Sequence, residues 1–470
     1  MRPDPMRFDA PNPDQPDDQP GTTGLGAEAL KKYAAPVPRY TSYPTAPHFS
    51  PAVGAKEYVG WLQAIPAGER LSLYVHIPFC DTLCWYCGCN TKVTQRYEPV
   101  AKYLEALYVE IENVGRHIDP TTRIAHIHFG GGSPSVLNAD DIRKLAAKLK
   151  ANFHFADDCE FAVEVDPRAL AEDRIDAFAE SGVTRISIGV QDFAEDVQAA
   201  INREQSFETT AAVIEGFRRR GVRSINIDLV YGLPKQTGAS VADTIDRVIG
   251  LRPDRIALFG YAHLPSRLVH QRMIDEETLP DTNERFRQAT IAADHLVKAG
   301  YVRVGLDHFA LPHDDLASGN VRRNFQGYTS DEAAGSLIGL GASSIGRLAQ
   351  GYVQNVTAAA DYARRVRETG FAVVKGHAMT RDDEVRAFVI ERLMCEFEFP
   401  ARELLERFGR DARPILLEAR RLVEADSDGL LRADDDGFTV TEQGRLFVRT
   451  ICAAFDAYLA RGVARHSAGV

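Results

Sequence analysis

Between residues 71 and 261 the apolar residues arrive in short runs. After each run comes a stretch in which they recur every three or four positions. The runs are LSLYVHIPF (71–79), IAHIHF (124–129), EFAVEV (160–165), RISIGV (185–190), SINIDLV (224–230) and RIALFGY (255–261). Their length and composition predict strands. The stretches between them predict amphipathic helices: Val100, Leu104, Leu107, Ile111 and Val114 share helical spacing, as do Ile142, Leu145, Leu149 and Phe153. Asn138, just ahead of the second set, is a candidate N-cap. Six strand–helix units predict a parallel sheet covered by helices. Periodicity alone leaves both an open sheet and a barrel standing.

The polar and glycine residues favour the barrel-like arrangement. Cys80 follows the first run, Gly130-Gly131-Gly132 the second, and Glu164 and Asp166 stand at the end of the third. Gln191 follows the fourth, Asp228 lies in the fifth, and Tyr261-Ala262-His263 close the sixth. Functional groups at the C-terminal ends of successive parallel strands converge on one mouth, so a single site built from many strands is expected. Residues 263–350 continue with a helix and then GYVRVGLDHFALPHDDLA and RNFQGYT, rich in polar and aromatic residues. Beyond about residue 370 helical patterns and a GFTVTEQGRLFVRTI stretch predict a small, mostly helical domain with a β-wing. At the other end, residues 1–26 hold six prolines and five aspartates with almost no apolar rhythm. We therefore expect a disordered leader over 1–29, an N-terminal arm over 30–70, a barrel domain over 71–365 and a helical C-terminal domain over 366–470. The arm segment VPRYTSYPTAPHF (37–49) is rich enough in Tyr, Pro and Arg that it is expected to pack on something.

Composition narrows the function classes. A chain of 470 residues with 44% hydrophobic and 26% charged residues is globular by default. A net charge of −11 argues against a chain-wide footprint on nucleic acid or anionic membrane. No run approaches the roughly 18 apolar residues of a membrane span, and the first residues lack the apolar core of a signal peptide, so the cytoplasm is expected. Local basic sites for an anionic small substrate remain allowed.

Four of the seven cysteines fall at 80, 84, 87 and 89, in HIPFCDTLCWYCGCN. Thiolates this close on one loop suit iron–sulfur or zinc ligation. Structural zinc usually takes two separated pairs, and a redox dithiol needs one. Cys80, Cys84 and Cys87 can hold three corners of a cubane and leave one iron open, while Cys89 is either a fourth ligand or a free thiol beside the cluster. Cys159, Cys395 and Cys452 read as structural thiols in apolar surroundings. Glycines at 130–132 let the backbone approach a ligand and offer N–H groups to it. Glu164 and Asp228 lie in apolar strands, where a carboxylate needs a partner: a ligand's amine or ribose, or else a salt bridge from a helix. Arg203 by itself reads equally well as a solvated helix residue.

The C-x3-C-x2-C spacing resembles the radical S-adenosylmethionine superfamily. More specifically, YVHIPFCDTLCWYCGCN, HFGGGSPS, EVDP, SIGVQDF, INR, NIDLVYGLP, YAHLP, VPRYTSYPTAPHF, LDHFALP, RNFQGYT, IGLGASSI and ICAAFDAYL resemble the oxygen-independent coproporphyrinogen III oxidase family over residues 35–460. The resemblance implies an α/β fold: a partial (β/α)6 TIM-like barrel with an N-terminal arm and a small, mostly helical C-terminal domain. It implies one 4Fe-4S cluster on Cys80, Cys84 and Cys87 and two S-adenosylmethionine molecules. Carried over by motif, Tyr74, Gly131, Glu164 and Ile345 would contact the molecule on the cluster. Tyr86, Gly132, Ser133, Gln191, Arg203, Asp228 and Ala262 would contact the second. The implied reaction turns two propionates of coproporphyrinogen III into vinyl groups, giving protoporphyrinogen IX. It needs an external electron donor and implies a monomer, with no nucleic acid or membrane partner. Arg39, Arg322 and Arg323 are candidate anchors for substrate carboxylates, and His76, Cys89 and Gln326 candidate proton or electron handlers. The competing readings are a haem-chaperone-like paralogue, a closed iron–sulfur carrier using Cys89, and an S-adenosylmethionine enzyme acting on tRNA, which fits poorly with the charge.

Overall fold

A computed structural model of the chain describes residues 30, 32–319, 321–330, 335–434 and 436–459. The expected leader, 1–29, lies outside them. All six apolar runs form strands: β1 (Arg70–Ile77), β2 (Arg123–Gly131), β3 (Phe155–Val165), β4 (Arg185–Gln191), β5 (Ser224–Tyr231) and β6 (Arg255–Gly260). They lie side by side in chain order, every neighbour parallel. Between them run α1 (Glu98–Arg116), α2 (Ala139–Asn152), α3 (Glu172–Ser181), α4 (Phe207–Arg219) and α5 (Gly238–Gly250), and α6 (Thr282–Lys298) follows β6. With helices on the outer face and side chains filling the inner one, the strands are buried on both sides, which is why they read as near-continuous apolar runs. The helix faces match the expected spacing: Val100, Leu104, Leu107, Ile111 and Val114 are all buried. Asn138 caps α2 by accepting from the Asp141 N–H at 2.8 Å.

The sheet extends beyond the six units. A seventh strand, β7 (Ser336–Leu340), lies parallel to β1 on its free side, pairing Leu71 with Ser336 through to Val75 with Leu340. Antiparallel strands at 345–348, 351–355 and 373–378 follow it, and those at 308–310 and 302–304 extend the β6 edge. Among the described residues the two ends of this 12-stranded sheet do not pair with each other, so the barrel stays open. Beyond it, the helices Arg381–Glu396, Ala401–Phe408 and Arg413–Glu424 and a three-stranded antiparallel sheet at 398–400, 437–440 and 431–433 form a second core.

The arm joins both cores. Its helix Ala55–Gln63 packs Tyr58 and Leu62 into the barrel core, whereas Tyr40 and Tyr43 are buried among C-terminal residues. The Tyr40 hydroxyl donates to Asp456 at 3.0 Å, and the Tyr43 hydroxyl accepts from the Ala457 N–H at 3.0 Å. The isolated thiols follow expectation at Cys395 and Cys452, which are buried, but Cys159 is only half-buried.

One carboxylate fastens the loop after β7 and the segments beside it. Glu110 of α1, 1% exposed, accepts from the Gly341 N–H, the Tyr362 hydroxyl and the Asn355 amide, each at 2.7 Å. Burial pushes its carboxyl up, against these three donors. Replacing Glu110 with alanine strands the Gly341 N–H and the Tyr362 hydroxyl, each worth about 1–3 kcal/mol when left unmade, while the Asn355 amide keeps the Gly341 carbonyl at 2.9 Å and Ser344 at 3.2 Å. The expected result is a loss of about 3–5 kcal/mol in unfolding free energy, read from denaturant titration; a loss under about 1 kcal/mol would refute this role.

Candidate active site

The strand ends of the barrel face one cavity of about 780 Å³. The cysteine loop forms one wall, and neighbouring segments hold it in place from several sides. The Gly132 N–H donates to Ile77 at 2.9 Å and the Ser133 N–H to Phe79 at 2.7 Å. Trp85 N–H donates to Ile201 at 2.9 Å, and the Asn202 side chain to Leu83 at 2.9 Å. From above, His270 Nε2 donates to the Cys87 carbonyl at 2.7 Å and Gln271 to the Tyr86 carbonyl at 3.0 Å.

This changes the part played by the glycine run. Its N–H groups, expected to face a ligand, serve the chain itself: Gly131 N–H goes to the Glu164 carboxylate at 3.1 Å and Gly132 N–H to Ile77 at the end of β1, while the Ser133 N–H that follows goes to Phe79 at the start of the cysteine loop. The glycines are needed for close approach. A Cβ on Gly132 would stand 2.5 Å from the Phe79 carbonyl oxygen and 2.6 Å from Thr91 Oγ1, and Gly131 has φ +113°.

Each of the three candidate ligand thiols has its own donor. Thr91 Oγ1 lies 3.1 Å from Cys80 Sγ, the Cys89 N–H lies 3.4 Å from Cys87 Sγ, and the Arg168 and Arg203 guanidiniums each lie 3.5 Å from Cys84 Sγ. Donors aimed at sulfur stabilise thiolates and tune a bound cluster. Among the described residues no three His, Cys, Asp or Glu side chains close on a single metal ion. Thiolates on the corners of a cubane stand apart, each on its own iron, so this donor set fits an iron–sulfur cluster. Hydrogen bonding from Cys89 pulls Cys87 down to about 6 and pushes Cys89 up, which makes Cys89 a donor to the set.

Of the residues singled out in the sequence, Tyr86, Gly132, Ser133, Glu164, Gln191, Arg203, Asp228 and Ala262 line this cavity with the three cysteines. Glu164 accepts from His128 Nε2 at 3.0 Å; burial alone would push its carboxyl up, but His128 and the Gly131 N–H hold it below the usual range. Asp228 accepts from Ser187 at 2.9 Å and Asn226 at 2.7 Å, yet burial and the Glu164 charge push it up. One charged and one reluctantly charged carboxyl in an enclosed space suit a cationic amine and hydroxyl donors. Arg203 is no solvated helix residue: it is buried and also donates to the Gly189 carbonyl and to Asp166. Gln191 takes a left-handed backbone, φ +70°, and a Cβ on Gly189 would come within 2.7 Å of its amide.

Tyr74, Gly131 and Ile345 do not line this cavity. The Tyr74 hydroxyl donates to His76 Nδ1 at 2.9 Å, and its ring stacks on His128 at 5.9 Å. Tyr74 pairs with Gly339 of β7, where a Cβ would come within 2.9 Å of the Ile345 carbonyl, so Ile345 sits beside the same rung. His76 Nε2 donates to the Asn90 carbonyl at 3.0 Å. Cys89 and Gln326 line the cavity, and both amide atoms of Gln326 are buried with no hydrogen-bond partner. Arg39 and Arg323 also line it, whereas Arg322 does not. Arg168, His270, Gln271 and Thr91 carried no signal in the sequence, since each acts through a loop contact that periodicity cannot report.

Comparison with known proteins bears on this cavity. The family description "Radical SAM superfamily" matches residues 74–248 and "HemN C-terminal domain" matches residues 379–447. The chain is 47% identical to the oxygen-independent coproporphyrinogen III oxidase of Bradyrhizobium diazoefficiens, over 92% of this chain and 97% of that one. It is 45% identical to the enzyme of that name from Paracoccus denitrificans, over 92% and 96%. Among solved structures it superposes on the coproporphyrinogen III oxidase HemN of Escherichia coli, described as a radical SAM enzyme, with TM-score 0.86, 40% identity and coverage of 92% and 98%.

The glycine contacts yield a direct test. Gly132→Ala must push the cysteine loop aside at backbone atoms, which is expected to lower unfolding free energy by about 1–3 kcal/mol and to reduce iron bound per chain. Iron content and stability equal to the unsubstituted chain would show that the loop does not depend on this approach.

Proposed function

The chain belongs to the oxygen-independent coproporphyrinogen III oxidase family, and on that premise we propose that it oxidatively decarboxylates two propionates of coproporphyrinogen III to vinyl groups, yielding protoporphyrinogen IX. The observation that carries this reading is the ring of three thiols, each with its own hydrogen-bond donor, on the wall of a cavity that also holds Glu164 and Asp228. The radical S-adenosylmethionine family works with a 4Fe-4S cluster and S-adenosylmethionine; we assign the cluster to Cys80, Cys84 and Cys87, which would hold it. Cluster and S-adenosylmethionine, when bound, would supply the radical chemistry needed to take a hydrogen atom from a propionate.

The protein's share is to bind, orient and exclude water. We assign Tyr74, Gly131, Glu164 and Ile345 to the S-adenosylmethionine on the cluster. Glu164, held ionised by His128, offers the charge an ammonium group needs. Tyr74 and His76 stiffen the rung behind it. We assign Tyr86, Gly132, Ser133, Gln191, Arg203, Asp228 and Ala262 to a second molecule; their common place on the cavity wall supports that reading. The arm residues Val37, Pro38, Arg39 and Thr41 also face the cavity, with Tyr40 and Tyr43 anchoring them in the C-terminal core. A lid of this kind keeps a reactive radical from water. We propose a chain that works as arm (30–70), barrel (71–365) and C-terminal domain (366–470), as a cytoplasmic monomer fed by an external electron donor. No helix among the described residues is long and apolar enough to cross a membrane.

The test is anaerobic. Purified protein with its cluster reconstituted is given reductant, S-adenosylmethionine and coproporphyrinogen III, and 5′-deoxyadenosine and protoporphyrinogen IX are measured together. Both products are expected. Deoxyadenosine without porphyrin product would defeat the substrate assignment, and neither product from cluster-loaded protein would defeat the mechanism. Cys80→Ser, Cys84→Ser and Cys87→Ser should each abolish the cluster's visible absorbance. Cys89→Ser should keep it; loss there would make Cys89 a fourth ligand.

A further inference from the structure

His308 opens the strand His308–Ala310, which runs antiparallel to β6, and it lines the cavity while only 7% exposed. Its Nδ1 lies 2.7 Å from the Asp307 carboxylate, whereas none of the described residues hydrogen-bonds its Nε2. The next turn keeps that nitrogen open. A Cβ on Gly327 would stand 2.9 Å from Nε2, and Gly327 takes φ +112°. Phe259 and Tyr328 meet the imidazole edge-on, with centroids 5.7 and 5.0 Å away.

The charges around the ring decide how Nε2 acts. Burial alone would push Asp307 up, but Arg323, 3.2 Å away, and His308 hold it well below the usual carboxylate range. An ionised carboxylate only accepts, so the proton stands on Nδ1. Arg323 answers the Asp307 charge by contact, and that charge also reaches Arg39. Asp228, the other acid that acts on the ring, is pushed up by burial and by Glu164. Neither carboxyl calls for a second proton on the imidazole, and with one proton on Nδ1 the Nε2 atom is a hydrogen-bond acceptor. An acceptor in an enclosed site costs free energy until a donor reaches it. Of the groups assigned to this cavity, the ammonium has Glu164 and the ribose hydroxyls have Asp228. The donors left over are the pyrrole N–H groups of the porphyrinogen, carried on flat rings that the Phe259 and Tyr328 edges can flank.

We propose that His308 binds the porphyrinogen by accepting a hydrogen bond from a pyrrole N–H at Nε2, with Asp307 as the positioning residue that fixes the ring and its proton. This rests on the substrate reading above and adds a contact to the macrocycle itself, distinct from any made to its carboxylates. A pyrrole held at its nitrogen presents the propionate of the same ring at a set distance, which is what a short-lived radical requires of its target.

The experiment uses full-length, cluster-loaded protein, with iron content checked first. His308→Asn keeps a donor for Asp307 and removes the acceptor at the Nε2 position. A neutral hydrogen bond is worth about threefold to tenfold in binding, so KM for coproporphyrinogen III should rise by that factor while kcat changes less. His308→Gln, whose amide oxygen can reach the Nε2 position, should fall between. Asp307→Asn should raise the same KM and add nothing further in the His308→Asn background; additive effects would deny Asp307 its positioning role. The tetramethyl ester of coproporphyrinogen III keeps the N–H groups and has no carboxylates, so as a competitive inhibitor it should weaken in His308→Asn as much as the free acid. A loss confined to the free acid would make His308 a carboxylate ligand and overturn the proposal. So would an unchanged KM for coproporphyrinogen III, or a rise in the KM for S-adenosylmethionine in its place. If His308→Asn does not fold, His308→Phe, which keeps a ring against Phe259 and Tyr328, replaces it with the same expected rise. Failure of the unsubstituted, cluster-loaded protein to convert coproporphyrinogen would instead overturn the substrate reading.

Discussion

A loop that presents three thiols to one cluster has almost no regular structure of its own, so its backbone groups must be satisfied from outside. In this chain that constraint organises the barrel mouth. Gly132 and Ser133 take the carbonyls of Ile77 and Phe79 where the chain enters the loop, the Ile201–Arg203 segment takes its middle, and His270 with Gln271 take its end. Each of these segments leaves the C-terminal end of a strand or lies just beyond it, so thiol spacing depends on strand register. The glycine run at 130–132 and Gly189 are places where the mouth would jam if a side chain were added.

Charge is divided within the same cavity. Near the thiols, Arg168 and Arg203 face Cys84 and share Asp166, which burial alone would raise but which they hold down at about 2. Beside them Glu164 is held ionised and Asp228 is pushed up, an environment for a cationic amine and for hydroxyl groups. Towards the arm, Arg39, Arg323 and Arg449 gather near Asp307, with Arg285 beside Tyr231. A chain with a net charge of −11 thus encloses a local cationic pocket. Whole-chain charge describes the outer surface and says little about an interior site that a few arginines define.

The arm and the C-terminal domain belong to the site for a related reason. An open barrel leaves its mouth wet. Tyr40 and Tyr43, buried in the C-terminal core, draw residues 37–41 across that mouth, and Arg449 fixes the carbonyls on which Arg39 depends. Glu110 does the corresponding work below, tying the loop after β7 to α1 and so supporting the rung that carries Tyr74, Gly339 and Ile345.

The six strands, their helices and the thiol loop were legible because each rests on local pattern: apolar runs of strand length, helical spacing such as Val100 to Val114, and four cysteines within ten residues. The strand-end positions of Glu164 and Gln191, with Asp228 inside the fifth strand, already pointed to one cavity. The features that stayed hidden depended on contacts between distant positions. The run SLIGL at 336–340 is too short to declare itself, and its partner β1 lies some 260 residues earlier. From its own segment Arg203 reads as a solvated helix residue and only the resemblance points it to a ligand, because burial is decided by the segments that fold over it. The Gly131 and Gly132 N–H groups read as free because their acceptors, the Glu164 carboxylate and the Ile77 carbonyl, belong to other strands. By itself the sequence determined which segments are strands and helices, and that thiols and carboxyls meet at strand ends, since periodicity and alternation are properties of neighbouring residues. Which arginines face the cavity, which carboxyl is ionised and which segment closes the mouth were decided by tertiary structure alone, because burial and electrostatic pairing exist only once distant segments pack.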